Sequence, residues 1–255
     1  MIANYHTHTA RCHHASGTLR EYVEAAVSAG MTTLGFSDHV PQFFDSGYVS
    51  RIRMTPSEAP EYVRSIRKLA EEYQNDIRIC VGFEAEYWPD TFGRLRQYCR
   101  ELGVDYLILG QHFYNREEAG FYFGARFDDP AMLTNYVDQV LEGLATGCFS
   151  CLAHPDLPNF TGDPAWYNAE MTRLCTGTRK MHIPLEVNML GFADHRQYPC
   201  QRFFDIVKSV GNETVLGCDA HTPGALADVA EQDALLAFAN RLGLSPLSEI
   251  PLKKV

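Results

Sequence analysis

The chain has 255 residues, 45% hydrophobic and 21% charged, the balance of a globular enzyme able to bury a sizeable core. Its formal net charge is −10 with no block of Lys or Arg, which argues against a nonspecific nucleic-acid or membrane surface. A small phosphorylated substrate is not excluded, because bound cations would reverse the charge locally. No apolar run approaches the roughly 18 residues of a membrane span. The start, Met1-Ile2-Ala3-Asn4-Tyr5-His6, lacks a signal peptide's basic region and apolar stretch, so a cytoplasmic protein is expected.

In chain order, strand-length apolar runs alternate with helical patterns. The first strand is predicted from Ile2 to Thr9. A helix follows from Thr18, where Thr18-Leu-Arg-Glu21 reads as a capping box, and stops at Gly30. Thr33 to Ser37 makes the second strand, and Thr55-Pro-Ser-Glu58 reads as a second capping box opening a helix to about Tyr73. The third strand spans Ile77 to Glu86, with a helix from about Asp90 to Leu102, and the fourth spans Tyr106 to Gly110. The segment Phe113-Tyr-Asn … Phe121-Tyr-Phe-Gly … Phe127 reads either as a hairpin lid or as an interface patch. Asp129-Pro130 opens the next helix, which Gly147 ends. Phe149 to Ala153, Ile183 to Asn188 and Thr214 to Cys218 complete the strands. Helices are predicted at about Pro164 to Arg179, Cys200 to Val210 and Asp228 to Leu242.

Strands alternating with helices imply parallel pairing through crossovers. Seven such units without an evident linker predict an α/β protein, one distorted seven-stranded (β/α)7 barrel spanning residues 1–255, with a doubly wound open sheet as the alternative. The eight cysteines lie in apolar segments and are expected to be reduced and mostly buried. Cys148-x-x-Cys151 has no second pair at zinc-finger spacing and reads as two small strand residues.

In such barrels the site lies at the C-terminal ends of the strands. There this sequence places His6-Thr7-His8, Asp38-His39, Glu84-Ala85-Glu86, Gln111-His112, His154-Pro155-Asp156, Asn188 and Asp219-Ala220-His221. His13 and His14 occupy the loop after the first strand, and only His182 and His195 of the ten histidines fall outside this set. Alternation puts His6 and His8 on one face, able to share an ion. One histidine alone is more often a hydrogen-bonded core or surface residue, but packing gives no reason for seven to converge on one rim. Imidazoles and carboxylates without obligatory thiolates suit Zn²⁺, Mn²⁺, Fe²⁺ or Co²⁺. Nine candidate ligands exceed what one tetrahedral ion uses, so two or three ions with a bridging carboxylate are expected.

The ordered set His6-Thr-His8, His14, Gly35-Phe-Ser-Asp-His39, Gly82-Phe-Glu84, Leu109-Gly-Gln-His112, Ala153-His-Pro155, Glu186-Val-Asn188 and Gly217-Cys-Asp-Ala-His221 resembles the polymerase-and-histidinol-phosphatase (PHP) superfamily, especially its stand-alone histidinol-phosphatase branch. The resemblance runs from residue 6 to residue 224. It implies a distorted seven-stranded barrel with up to three metals: His6, His8, Glu84 and Asp219 on one ion, Glu84 bridging to a second held by His112 and His154, and His14, His39 and His221 on a third. Both acids of Glu84-Ala-Glu86 face one side, and motif position favours Glu84 as the bridge. Where the branch often has Cys-Pro-His, this chain has Cys12-His13-His14, and spacing favours His14 as the ligand. Arg196, a few residues from where relatives place a phosphate-binding arginine, reads either as that group or as a solvated loop arginine.

The resemblance implies hydrolysis of a small phosphate monoester, most directly L-histidinol phosphate in histidine biosynthesis, by attack of metal-bound hydroxide without a phosphoenzyme. Glu84, His154, Asp219 and Arg196 are the expected catalytic groups, and Glu86 or Asp156 is a candidate partner for the substrate ammonium. Another phosphoester, such as a nucleotide, sugar phosphate or nucleic-acid end, remains an alternative substrate. A silent binding scaffold would lack ligand positions, and none is missing. An amide-cleaving barrel hydrolase would be expected to carry a metal-bridging lysine after a middle strand, and no lysine ends a strand here. Oligomeric state is not fixed by the sequence.

Overall fold

The computed structural model describes residues 1–255. Seven strands pair in parallel in chain order: β1 (Ala3–Asn4), β2 (Thr33–Phe36), β3 (Arg78–Ala85), β4 (Tyr106–Leu109), β7 (Phe149–Leu152), β8 (Leu185–Asn188) and β9 (Thr214–Gly217). Between β4 and β7 a separate two-stranded hairpin, β5 (Phe113–Tyr114) and β6 (Phe121–Tyr122), stands over the rim. The last strand returns to the first: Thr7 bridges Ala220, and His8 N–H donates to Ala220 O at 2.9 Å. Asn4 Oδ1 accepts from Cys218 N–H at 2.8 Å. Strand order and this closure make a nearly closed (β/α)7 barrel and exclude the open doubly wound sheet.

The helices α1 (Leu19–Ser28), α2 (Ala59–Glu72), α3 (Pro89–Leu102), α4 (Pro130–Ala145), α5 (Pro164–Lys180), α7 (Gln201–Val210) and α9 (Val229–Arg241) each present an apolar stripe to the sheet. Their starts follow local chemistry. Thr18 and Glu21 exchange reciprocal capping hydrogen bonds, and Asp129, Asp163 and Asp228 cap α4, α5 and α9.

Four sequence expectations change. The first strand is regular only at Ala3–Asn4, because Tyr5 to Thr9 turns inward to deliver two histidines and pairs across the closure instead. Thr55 N–H and Oγ both donate to Glu58 Oε2, at 2.7 Å each, but the pair forms a turn before α2 rather than its cap. The helix begins at Ala59, three residues later than the box implied, with Pro60 in its first turn. Two short helices were not anticipated, α6 (Met189–Ala193) and α8 (Pro223–Ala227). They are too brief for periodicity to reveal.

Alternate strand residues face inward. A cluster of buried residues that includes Tyr5, Cys80, Tyr106, Ile108, Cys151 and Val215 fills the lower lumen, with Leu247, Ile250 and Leu252 of the C-terminal segment packed against it. All eight cysteines are free, and Cys148 and Cys151 are buried as small strand-region residues. Tyr106 spans the lumen, its hydroxyl donating to Tyr5 O at 2.9 Å or Phe36 O at 3.2 Å. Room for its ring exists only because Gly35 and Gly82 lack side chains; a Cβ at either would lie 2.3 or 2.6 Å from Tyr106. Removing the hydroxyl in Tyr106→Phe is expected to destabilise the fold by about 1–2 kcal/mol. A urea midpoint equal to that of the parent protein would refute this account of the lumen.

Candidate metal centre

Above the apolar plug the inward positions become polar, and the donors converge on Glu84. Its Oε2 lies 3.6 Å from His6 Nε2, 3.5 Å from His8 Nε2 and 2.9 Å from His39 Nδ1. Its Oε1 lies 2.7 Å from His154 Nε2 and 3.3 Å from His112 Nε2. Asp219 Oδ1 lies 3.4 Å from His6 Nε2 and 3.1 Å from His8 Nε2, and those two nitrogens are 3.2 Å apart. Two N or O ligands bonded to one zinc at about 2.0–2.1 Å stand roughly 3.3 Å apart. Many of these separations are therefore those of ligands sharing an ion.

The chemistry of the donor set gives the same answer. Glu84 Oε2, His8 Nδ1, His39 Nδ1 and His154 Nδ1 are buried without a hydrogen-bond partner. A buried carboxylate oxygen with no donor aligned to it is costly unless a cation meets it. The sets His6–His8–Asp219, His6–Glu84–His154 and His8–His39–Glu84 each bring three donor atoms within 4.8 Å of one another. The residues present thus fit divalent ions.

Backbone and glycine geometry make this possible. His154 (φ 28°) and Asp219 (φ 50°) hold left-handed conformations that non-glycine residues rarely adopt, a strain of order 1–3 kcal/mol each that turns their side chains into the cluster. A Cβ at Gly110 would lie 1.9 Å from Glu84 Oε1, and one at Gly217 would lie 1.8 Å from Glu186 Oε1. Each glycine lets a neighbouring strand's carboxylate lie flat across it.

A second ring of polar groups orients the first. His6 Nδ1 pairs with Glu186 Oε1 at 2.8 Å. Glu186 Oε2 accepts from His154 N–H at 2.8 Å and from Asn188 Nδ2 at 2.9 Å. His112 Nδ1 pairs with Glu86 Oε1 at 3.0 Å. His14 and His221 direct Nδ1 at the carbonyls of Cys12, 2.6 Å, and Asp219, 2.9 Å. Engaging one ring nitrogen in this way fixes the tautomer and frees the other as a ligand.

The nine predicted ligands therefore gather at one rim, all buried or half-buried except His14, which is exposed at the mouth. The His14 ring lies 5.6 Å from that of His39 and 4.8 Å from that of His221, close to the 5.2 Å between the rings of His6 and His8. His39 also groups with His8 and Glu84, and His221 with His8 and Cys12. His13, the alternative in the loop, is exposed and does not border the cleft. Between the two acids of β3 and its end, Glu84 enters the cluster while both oxygens of Glu86 meet Arg53, at 2.7 and 2.9 Å.

The cluster floors a cleft of about 450 Å³ walled by Ile52, Phe113, Tyr122, Leu157, Leu190 and Tyr198. Arg196 is the one Lys or Arg that lines it, held by Asp194 at 2.7 Å and the Tyr198 hydroxyl at 3.2 Å. The expectation that Glu86 or Asp156 meets a substrate ammonium is corrected. Neither lines the cleft, because Glu86 is occupied by Arg53 and Asp156 is buried accepting from Cys200 N–H at 2.7 Å. Sequence reasoning did not assign Glu186, Arg53 or Tyr198 a role. A charged residue inside the apolar β8 was the available signal for Glu186, while the other two lie in irregular loops.

A parallel barrel with imidazoles and carboxylates converging at its carboxyl rim defines a metal-binding barrel hydrolase. The chain matches the family model described as PHP domain over residues 4–190 and belongs to that family. It is 30% identical over 244 residues to a Deinococcus radiodurans protein named Probable histidinol-phosphatase, covering 88% of this chain and 87% of the relative. It is also 26% identical over 151 residues to the histidinol-phosphatase of Bacillus subtilis, covering 57% of this chain and 52% of that one. Among solved structures it shares its fold with histidinol phosphate phosphatase from Lactococcus lactis, crystallised with zinc, L-histidinol and phosphate. The TM-score is 0.72 at 17% identity, covering 98% of each chain.

Without ions the cluster stores protons. Burial disfavours the charged imidazoles, but Asp219 and Asp38 raise His8 to about 9, and Glu84 and Glu86 raise His112 to about 10. His6 is also raised by its carboxylates. Burial and the neighbouring His8 lower His39, and lower His221 to about 4. A folded-state value above the ordinary 6.5 stabilises the fold fully below 6.5, and that stabilisation is lost as pH rises through the folded value. His39 and His221 act oppositely, weakening the fold only below about 6.5. The metal-free protein should therefore lose stability between pH 6.5 and 10, and zinc uptake at pH 7 should release protons. Urea unfolding of chelator-treated protein across that range, with zinc calorimetry in two buffers, tests both; flat stability and no proton release would be decisive against it.

Proposed function

We propose that this chain is a metal-dependent phosphatase that hydrolyses L-histidinol phosphate to L-histidinol and phosphate in histidine biosynthesis. The observation that carries the reading is the Glu84 carboxylate among five imidazoles, at the floor of a cleft whose one guanidinium is Arg196. The names and covered lengths of the relatives support the substrate. Hydrolysis of another phosphate monoester in the same cleft is the second reading, supported by the open apolar walls. The whole chain, residues 1–255, is taken as one barrel domain. Its eight free cysteines are in keeping with a reducing cytoplasm, and no helix is long and apolar enough to cross a membrane.

In this reading His6, His8, Glu84 and Asp219 would hold one ion, Glu84 with His112 and His154 would hold a second, and His14, His39 and His221 would hold a third. Two to three ions of zinc, manganese or iron are proposed. When bound, such ions lower the pKa of coordinated water towards about 7 and neutralise charge on the phosphoryl oxygens. The remaining work falls to the chain. Arg196 turns its fork from Asp194 to the phosphate, giving bidentate charge-assisted contacts. Asp219 and His154 are placed to accept or pass a proton. Phe113, Tyr122, Leu157 and Leu190 exclude water, which strengthens every charge interaction on the cleft floor.

Glu84→Ala and Asp219→Ala are expected to strip metal and abolish phosphate release. Either variant retaining full metal content and turnover would overturn the ligand assignment. Arg196→Ala should keep its metal but raise KM by roughly 10- to 100-fold, the worth of a charged hydrogen bond. An unchanged KM would return Arg196 to the solvated loop. The first experiment joins metal analysis of the purified protein to phosphate release from L-histidinol phosphate and a panel of nucleotide and sugar phosphates. Turnover confined to other esters would keep the site and discard the substrate.

A further inference from the structure

The stretch from Ser37 to Glu58, between β2 and α2, carries no regular secondary structure, yet it buries Arg53 to a side-chain exposure of 1%. Nη1 and Nη2 of that guanidinium meet the two oxygens of Glu86 at 2.9 and 2.7 Å, and Glu86 pairs with His112 Nδ1 at 3.0 Å. Nη1 also donates to Val40 O at 2.9 Å, one residue past His39. Nε donates at 2.7 Å to Glu117 Oε2, in the turn of the β5–β6 hairpin that presents Phe113 and Tyr122 to the cleft.

A buried Arg between two carboxylates is a poor device for stability alone. Desolvation of the charges offsets their attraction, and apolar groups of similar volume often serve as well. What this one does uniquely is fix directions. Its planar fork presents several N–H groups at set angles, and here they go to three separate parts of the rim. The other groups around Glu117 reinforce the hairpin arm: Ser50 Oγ donates to it at 2.6 Å and the Tyr48 hydroxyl at 3.2 Å, while Trp88 Nε1 donates to Asn115 O at 2.8 Å. The hairpin is thus pinned to the Arg53 loop rather than free to swing.

We infer, on the reading of the cleft as a phosphatase site, that Arg53 is a positioning residue that locks the His112 ligand and the aromatic hairpin wall to each other. Through Glu86 it holds the His112 ring with Nδ1 turned outward, so that Nε2 faces Glu84. Through Glu117 it sets how far Phe113 and Tyr122 reach over the substrate. The two arms separate in principle: the first governs metal affinity, and the second governs how substrate is held.

The test compares purified wild type, Arg53→Lys, Glu117→Ala and Glu117→Gln. Zinc affinity is measured by chelator competition, exchange of the Phe113–Tyr122 amides by mass spectrometry, and kcat and KM on histidinol phosphate. Glu117→Ala should speed hairpin exchange and raise KM by about tenfold or more, with zinc affinity within twofold of wild type. Glu117→Gln, which keeps an acceptor for Nε, should restore KM towards the parent. Arg53→Lys should show both defects, including a zinc affinity weaker by about tenfold or more. A folded Arg53→Lys with wild-type zinc affinity and hairpin exchange overturns the inference. Should that variant not fold, unchanged exchange and KM in Glu117→Ala overturn it instead. If wild type releases no phosphate from histidinol phosphate, the substrate reading fails, while zinc affinity and hairpin exchange still decide the role of Arg53.

Discussion

The carboxylate of Glu84 lies between five imidazoles, two on one oxygen and three on the other. Burying that many donors and acceptors in one place is unfavourable without protons or cations to neutralise them, and Glu84 Oε2 and three imidazole nitrogens are left without a hydrogen-bond partner. The chain accepts local strain to keep the arrangement. Gly110 gives up a side chain so that Glu84 fits, and His154 and Asp219 sit in left-handed backbone conformations at the strand ends. The apolar plug around Tyr106 and the closure of β9 on β1 supply the rigid frame against which this strain is held.

Around the cluster, each polar group that touches it is itself held. Glu186 binds a histidine side chain and a backbone N–H, and the amide of Asn188 spans Glu186 and Asp219. Glu86 and Arg53 perform the corresponding task beside His112. Such supports restrict the imidazoles to one tautomer and a narrow range of tilt, so little reorganisation is required when a cation or a charged substrate arrives. The cleft above combines this rigid, polar floor with aromatic and aliphatic walls, a combination suited to a small ester with a charged end and an apolar or aromatic body.

Much of this was legible before any coordinates. The alternation of apolar runs with helical periods gave the seven parallel strands, and the capping residues Thr18, Asp129 and Asp228 marked helix starts that the structure repeats. Eight of the nine candidate ligands stand at one rim because strand-end position is itself a local property of the sequence, and His14 joins them from the loop after the first strand. The failures have a shared cause. Thr55 and Glu58 bond to each other in a turn and not as a helix cap, and the first strand breaks early to deliver His6 and His8. In each case tertiary contacts outweighed a local preference of about 1 kcal/mol.

The sequence by itself determined the fold class, the rim on which polar residues collect and the kinds of cation they favour, since these follow from periodicity and donor chemistry along the chain. The division of labour between similar residues was decided only in three dimensions. Glu84 and Glu86 are two apart on one face, yet Glu84 meets imidazoles while Glu86 meets a guanidinium from a loop more than thirty residues upstream. His14 borders the cleft and His13 does not, because a left-handed turn at His13 sends the two side chains apart. Such choices depend on which distant groups pack alongside, and nothing in the spacing of neighbouring residues carries that information.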